Sequence, residues 1–171
     1  MTKAPSTDFR RALAQFATGV TVITTRTPEG TPVGVTVNSF NSVSLDPPLV
    51  VWSLALAAST HPVFRDCARY LVHVLSAGQL EVARRFAQRG VDRFAGLAWH
   101  ANAAGLPAFD GCVARFECAP RNHLVEGDHL VLIGAVQRFE TLGGAPLIFH
   151  DGRYITDLRE ALLPKILRDV R

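Results

Sequence analysis

Cysteine is scarce in this chain: Cys67, Cys112 and Cys118 are the only three, and no two form a C-x-x-C pair. An odd count without paired spacing offers neither a disulfide framework nor a cysteine-based zinc site. Cys112 and Cys118 stand six apart in an expected strand, on one face but too far apart to bridge. All three read as buried structural thiols. The six histidines are scattered without metal-ligand spacing, so no metal is expected. Long apolar runs are also missing. Leu49 to Ala58 is too short and too interrupted to span a bilayer, so no membrane association is expected. The first eight residues, Met1 to Asp8, have no apolar signal-peptide core, which makes the cytoplasm the expected location.

Charge of one sign is lacking as well. The formal net charge is +3, with acids interleaved among bases. Nucleic-acid binders show a concentrated basic stripe with aromatics between, and none is present here. No G-x-G-x-x-G follows a strand, and there is no Walker loop, H-E-x-x-H or G-x-S-x-G. No nucleophile is seen with its base. Repeats, linkers and low-complexity segments are absent, so residues 1–171 are expected to form one domain. The 48% hydrophobic and 19% charged fractions suit a globular one.

What the chain does have is many short strand-like runs. Val20 to Thr25, Val33 to Val37, a run from Leu49, and Tyr70 to Leu75 read as strands, as do Asp110 to Cys118, His129 to Glu140 and Leu147 to Tyr154. Helices are expected after a Ser6 or Thr7 cap, with Phe9, Ala12, Leu13 and Phe16 as the apolar face, and over Pro62 to Ala68 and Gly78 to Arg89. Residues 91 to 106 read as irregular, and Asn38 to Ser44 as a polar turn region. The tail 157–171 is amphipathic through Leu158, Leu162, Ile166 and Val170, with Pro164 interrupting it. Little βαβ alternation favours a mainly β fold, a Greek-key barrel with peripheral helices.

Gly34 to Ser53 is the most informative stretch. Val33, Val35 and Val37 alternate with Gly34, Thr36 and Asn38, and hydroxyl side chains follow densely. Small and hydroxyl residues leave backbone N–H groups accessible to a flat, hydrogen-bond-rich ring or a phosphate. An ordinary hairpin accounts for the same spacing.

This segment resembles the signature of the short-chain flavin reductases, whose fold is the FMN-binding split barrel. Phe16 to Thr25, Val74 to Gln79, Phe86-Ala87, Asp92-Arg93-Phe94, Gly127-Asp128-His129, Ile133-Gly134 and Gly152-Arg153-Tyr154 follow the family's order, covering about residues 9–156. The resemblance implies a homodimeric NAD(P)H:flavin oxidoreductase. Such a protein uses FMN or FAD with NADH or NADPH and supplies reduced flavin to a separate monooxygenase.

Carried over residue by residue, Thr36, Val37, Asn38, Ser39 and Phe40 would line the isoalloxazine and ribityl chain. Trp52, Ser53 and Leu54 would meet the ring's pyrimidine side, largely through backbone groups. Ser59 and Thr60 would take the phosphate, and Phe86 and Arg93 would border the flavin, with Arg93 able to reach a phosphate bidentately. His129, as the residue positioning the nicotinamide, and Tyr154 would contact the dinucleotide, with Asp128 holding the turn. On the residues alone, Ser39 could bond its own turn, Ser59-Thr60 could cap a helix, Arg93 could be solvated and His129 could be structural. His73 stands where the family usually has Asn.

Lack of catalytic side chains suits hydride transfer between two cofactors, since the protein only has to orient rings and tune them by hydrogen bonds. Two other readings share the fold. One is a protein that holds FMN firmly and acts on a corrinoid or pathway intermediate. The other is a flavin-binding module without turnover.

Overall fold

A computed structural model describes residues 7–157. In chain order the elements are α1 (Thr7–Ala14), β1 (Thr18–Gly19), β2 (Thr21–Arg26), β3 (Pro32–Val37), β4 (Asn41–Leu45), β5 (Pro48–Ala55), α2 (His61–Asp66) and β6 (Tyr70–Val74). A 3₁₀ turn, Ala77–Gln79, leads into α3 (Leu80–Ala87). Then come β7 (His100–Ala101), β8 (Pro107–Ala108), β9 (Ala114–Glu126), β10 (His129–Thr141), β11 (Ile148–His150) and β12 (Arg153–Ile155).

Seven strands form one antiparallel sheet in the order β3-β2-β6-β9-β10-β5-β4. Within it, β5 lies beside β10 although β6 and β9 come between them in sequence. That is the Greek-key arrangement, made by the long return through α2. Val33, Val35 and Val37 of edge strand β3 pack into the same interior as Val50, Trp52 and Leu54 of β5 and Leu130 and Leu132 of β10. The sheet therefore curls around one core, while its two edge strands, β3 and β4, are not paired with each other. The expected mainly β barrel with peripheral helices is what the chain forms.

A second core lies outside the barrel. Val20, Val22, Leu75, Ala83, Phe86, Phe94, Phe109 and Leu147 pack together there, under α3 and the stretch 88–112 that carries the short β7–β8 pair. Phe86 centres it, edge-on to Phe94 at 4.9 Å and to Phe109 at 5.3 Å. Such edge-to-face pairs hold ring orientation more firmly than aliphatic packing does.

Four local expectations are corrected. Asn41–Leu45 is a strand rather than part of a turn region. Its polar side chains are mostly exposed and it pairs with β5 only through backbone, so no apolar alternation marks it. The apolar stripe of α1 does not enter a core: Leu13 and Phe16 are 59% and 71% exposed. Cys112 precedes β9 instead of sharing a strand face with Cys118, and the two thiols sit in different cores. Strand β9 starts at Ala114 and runs on to Glu126, well past the expected end at Cys118. Ser6 and the amphipathic tail beyond Asp157 lie outside the described residues.

His73 is fully buried on β6. Its Nδ1–H donates to the Val22 carbonyl at 3.0 Å, and its ring stands edge-on to Phe109 at 5.3 Å. Desolvation holds its pKa down to about 3.

Candidate functional site

A cleft of about 440 Å³ opens where the end of β3, the end of β5, the turn after it, and the end of α3 converge. A volume of that order suits a small ligand or cofactor, whose sites run from about 300 to 1,000 Å³. Local sequence explains why α3 can come so close to β3. A Cβ at Gly34 would overlap the Phe86 ring, so only glycine allows the contact. The Thr36 hydroxyl then donates to the Ala83 carbonyl at 2.7 Å, tying strand to helix.

Arg93 clasps the loop that follows α3. Its Nη1 donates to the Gly34 carbonyl at 2.7 Å, and Nε and Nη2 both donate to the Gln88 carbonyl at 2.9 and 2.7 Å. Burial lowers its pKa from the ordinary arginine range. Its Nε/Nη2 edge is thus turned to Gln88, so a bidentate grip on a phosphate through that edge would require this contact to open. The residue still forms part of the cleft wall.

Across the cleft, Ser39 and Ser53 join β3's exit to β5. Ser53 N–H donates to Ser39 Oγ at 2.9 Å, and Ser39 Oγ donates to the Ser53 carbonyl at 3.2 Å. His129, the first residue of β10, closes the rim. The Gly127-Asp128 turn that carries it needs φ of +59° at Gly127, and it is pinned by the Leu56 N–H donating to the Asp128 carbonyl at 2.9 Å. His129 Nδ1 lies 2.6 Å from Asp128 Oδ1. This hydrogen bond, and the charge of the imidazole, hold the Asp128 carboxyl below its usual pKa.

Of the residues singled out in the sequence, the cleft gathers Thr36, Val37, Asn38, Ser39, Ser53, Leu54, Ser59, Phe86, Arg93 and His129. The side chains of Trp52 and Phe40 are elsewhere. Trp52 is fully buried in the barrel, 5.2 Å from Phe64 and 5.7 Å from Tyr70, so only its backbone can serve a ligand. The Phe40 ring packs 5.6 Å from Phe116. Thr60 faces an adjoining cleft rather than the main one. Tyr154 lines a small third cleft of about 170 Å³, which shares Thr36, Val37, Asn38 and Ala87 with the main one.

Two wall residues escaped the sequence reading. Arg89 lies on the cleft and makes no hydrogen bond or ion pair among the described residues, which leaves its charge available to an anion. Its spacing of four from Arg93 was the available signal. Phe149 pairs across strands with Tyr154, the rings edge-on at 5.2 Å, and shares the small third cleft. Among the described residues, no cluster of His, Cys, Asp and Glu could hold a metal ion. No described helix is long and apolar enough to cross a membrane.

Comparison with known proteins adds the chemistry's context. The family described as "Flavin reductase like domain" matches residues 13–156. The FMN reductase (NADH) SmoA of Agrobacterium fabrum is 48% identical over 149 residues, covering 87% of this chain and 84% of that protein. The reductase component of the flavin-dependent trigonelline monooxygenase of Acinetobacter baylyi is 40% identical over 90% of this chain, which spans half of that longer protein. The solved NADH:FAD oxidoreductase SgcE6 of Streptomyces globisporus, in complex with NAD and FAD fragments, superposes with a TM-score of 0.81 at 37% identity, covering 86% of this chain and 89% of that one. A curled Greek-key sheet, a cleft of small and hydroxyl residues on its flank and a family match across most of the chain agree: this protein belongs to the flavin reductases.

Proposed function

We propose that the cleft binds FMN or FAD beside a nicotinamide dinucleotide, NADH or NADPH, and that the protein delivers reduced flavin to a separate flavin-dependent monooxygenase. The observation that carries this reading is the cleft's make-up. Its lining is rich in small and hydroxyl residues, and Arg89, Arg93 and His129 also border it. Bound flavin would supply the hydride-accepting chemistry, so the chain's task is orientation and exclusion of water.

The residues present fit such a group. Thr36 to Ser39 and Ser53 to Ala55 offer the ring a wall of main chain and small side chains. The Ser39 hydroxyl keeps one lone pair for a ligand N–H and, released from its 3.2 Å contact, can donate instead. Ser59, Thr60 and Arg89 would serve the phosphate. Thr60 Oγ1 is buried without a partner among the described residues, as an atom awaiting a ligand would be. His129 and Tyr154 would hold the nicotinamide dinucleotide on the opposite flank.

The protein would act as a homodimer in the cytoplasm, with the flavin near the subunit interface. Leu45 is 91% exposed on β4, the edge strand beside β5, and Val125 is 59% exposed on β9, beyond β10. Exposed apolar side chains on sheet strands are in keeping with a surface that another chain covers.

Steady-state oxidation of NADH and of NADPH, each crossed with riboflavin, FMN and FAD, tests the activity. Turnover should depend on added flavin. A firmly yellow protein that reduces no free flavin would favour action on another acceptor, and failure to bind any flavin would refute the reading.

A further inference from the structure

We propose that Arg93 is a positioning residue: it latches the loop after α3 so that Arg89 faces the cleft, and it keeps that task when a flavin binds rather than gripping the phosphate itself. This rests on the flavin site proposed above and says how one of its walls is held.

The loop has little else to hold it. Residues 88–92 are exposed, and among the described residues 89–92 make no backbone–backbone hydrogen bond. Gly90 turns the chain there with φ of +70°. Only the two ends are anchored. Gln88 N–H donates to the Arg85 carbonyl at 3.2 Å as α3 ends, and Phe94 is buried in the second core, edge-on to Phe86 at 4.9 Å. Asp92 Oδ1 sets the entry into that core by accepting the Phe94 and Ala95 N–H groups at 3.0 and 3.3 Å.

Arg93 closes the loop across its neck. Nε and Nη2 reach back to the Gln88 carbonyl, while Nη1 reaches out to the Gly34 carbonyl of β3, next to the cleft residues Val35 and Thr36. A planar guanidinium can bridge carbonyls of two elements in one fixed geometry, whereas an ammonium carries the charge without the fork. Arg89 sits between the ends of this latch, lines the cleft and has no partner of its own among the described residues. Its direction therefore depends on the loop, and the loop depends on Arg93.

Fluorescence titration of the full-length protein with FMN and riboflavin tests the inference in Arg89→Gln, Arg93→Lys, Arg93→Gln and the double variant of Arg89→Gln with Arg93→Lys. Arg89→Gln should weaken FMN about ten-fold and riboflavin less than about two-fold. Arg93→Lys keeps the charge, yet it should harm FMN binding as much as Arg93→Gln and spare riboflavin. The double variant should bind FMN about as weakly as Arg89→Gln alone, because a residue that acts through another adds nothing once the other is gone. In the ligand-free protein, trypsin should cut after Arg89 several-fold faster in Arg93→Lys than in the parent, since a released loop is open to proteolysis. FMN affinity kept by Arg93→Lys but lost by Arg93→Gln, or losses that add in the double variant, would put Arg93 on the phosphate and overturn the inference while leaving the flavin site standing. Equal loss of FMN and riboflavin, or equal cutting after Arg89, would also overturn it. Absence of binding by either flavin in the parent would overturn the flavin site and this role together.

Discussion

Ser39 and the Ser53 peptide hold each other from both sides, the hydroxyl accepting from Ser53 N–H at 2.9 Å and donating to Ser53 O at 3.2 Å. One side chain thereby fixes the spacing of two strand ends that together form one wall of the cleft. The N–H contact is the shorter of the two, so the hydroxyl can turn its proton to a ligand while keeping that bond.

Ser39→Ala should therefore weaken flavin binding by about ten-fold while the domain stays folded. The loss combines a hydrogen bond of about 1 kcal/mol within the wall with whatever the hydroxyl gives the ligand. Fluorescence titration and a thermal melt on the same sample separate the two. Unchanged affinity would remove Ser39 from the site.

Gly34→Ala should damage both stability and the cleft. Its Cβ would overlap the Phe86 ring, and that ring cannot retreat because Phe94 and Phe109 back it. Overpacking of this kind costs about 1–3 kcal/mol. The lowered melting temperature should come with weaker flavin binding, since Phe86 lines the cleft. Gly134→Ala, which would overlap the Tyr70 hydroxyl inside the barrel, should destabilise without touching the cleft and serves as the control.

His73 makes stability depend on pH. Its pKa of about 3 in the folded chain lies below the ordinary value of 6.5, because burial disfavours the charged ring. Between those values the unfolded chain binds more protons, so stability is full above about pH 6.5 and falls as pH drops toward 3. The loss should reach a few kcal/mol, at about 1.4 kcal/mol per pKa unit. Urea unfolding at pH 7 and pH 4.5 measures it. His73→Asn keeps a donor for the Val22 carbonyl but cannot titrate, so its stability should change less between the two pH values. An equal change would locate the acid sensitivity in other groups.

Much of the fold was legible because barrel strands announce themselves by alternation or by short apolar runs: β3 alternates, while β5, β6 and the first half of β10 are apolar runs. Strand β4 and the far half of β9 did not, since their pairing is through backbone and their side chains meet water. The cleft was legible where residues act through main chain or small side chains, as at Thr36 to Ser39 and at Ser53. It was not legible where a long side chain had a choice of partners. Nothing in the sequence says that Arg93 turns its bidentate edge to Gln88 while Arg89 leaves its charge free. The direction of Trp52 was equally hidden, because an apolar run such as β5 does not show which face is the barrel's interior.

His129→Ala should slow hydride transfer more than it weakens flavin binding. The residue stands on the rim, on a turn pinned to the end of β5 through Leu56 and Asp128, rather than within the wall that would hold the ring. Its Nδ1 is engaged by Asp128 at 2.6 Å, which fixes the ring and leaves Nε2 to meet a second ligand. If that ligand is the nicotinamide dinucleotide, losing the imidazole lets the hydride donor drift, and a misplacement of about 1 Å can cost on the order of 100-fold in rate. Asp128→Asn keeps a hydrogen-bonding side chain but removes the charge, so it should fall between the parent and His129→Ala. Anaerobic stopped-flow reduction by NADH, with flavin affinity titrated alongside, reads both quantities. Flavin affinity should stay within a few-fold in either variant. A normal reduction rate with lost affinity would move His129 into the flavin wall, and normal values for both would leave it a residue of the turn alone.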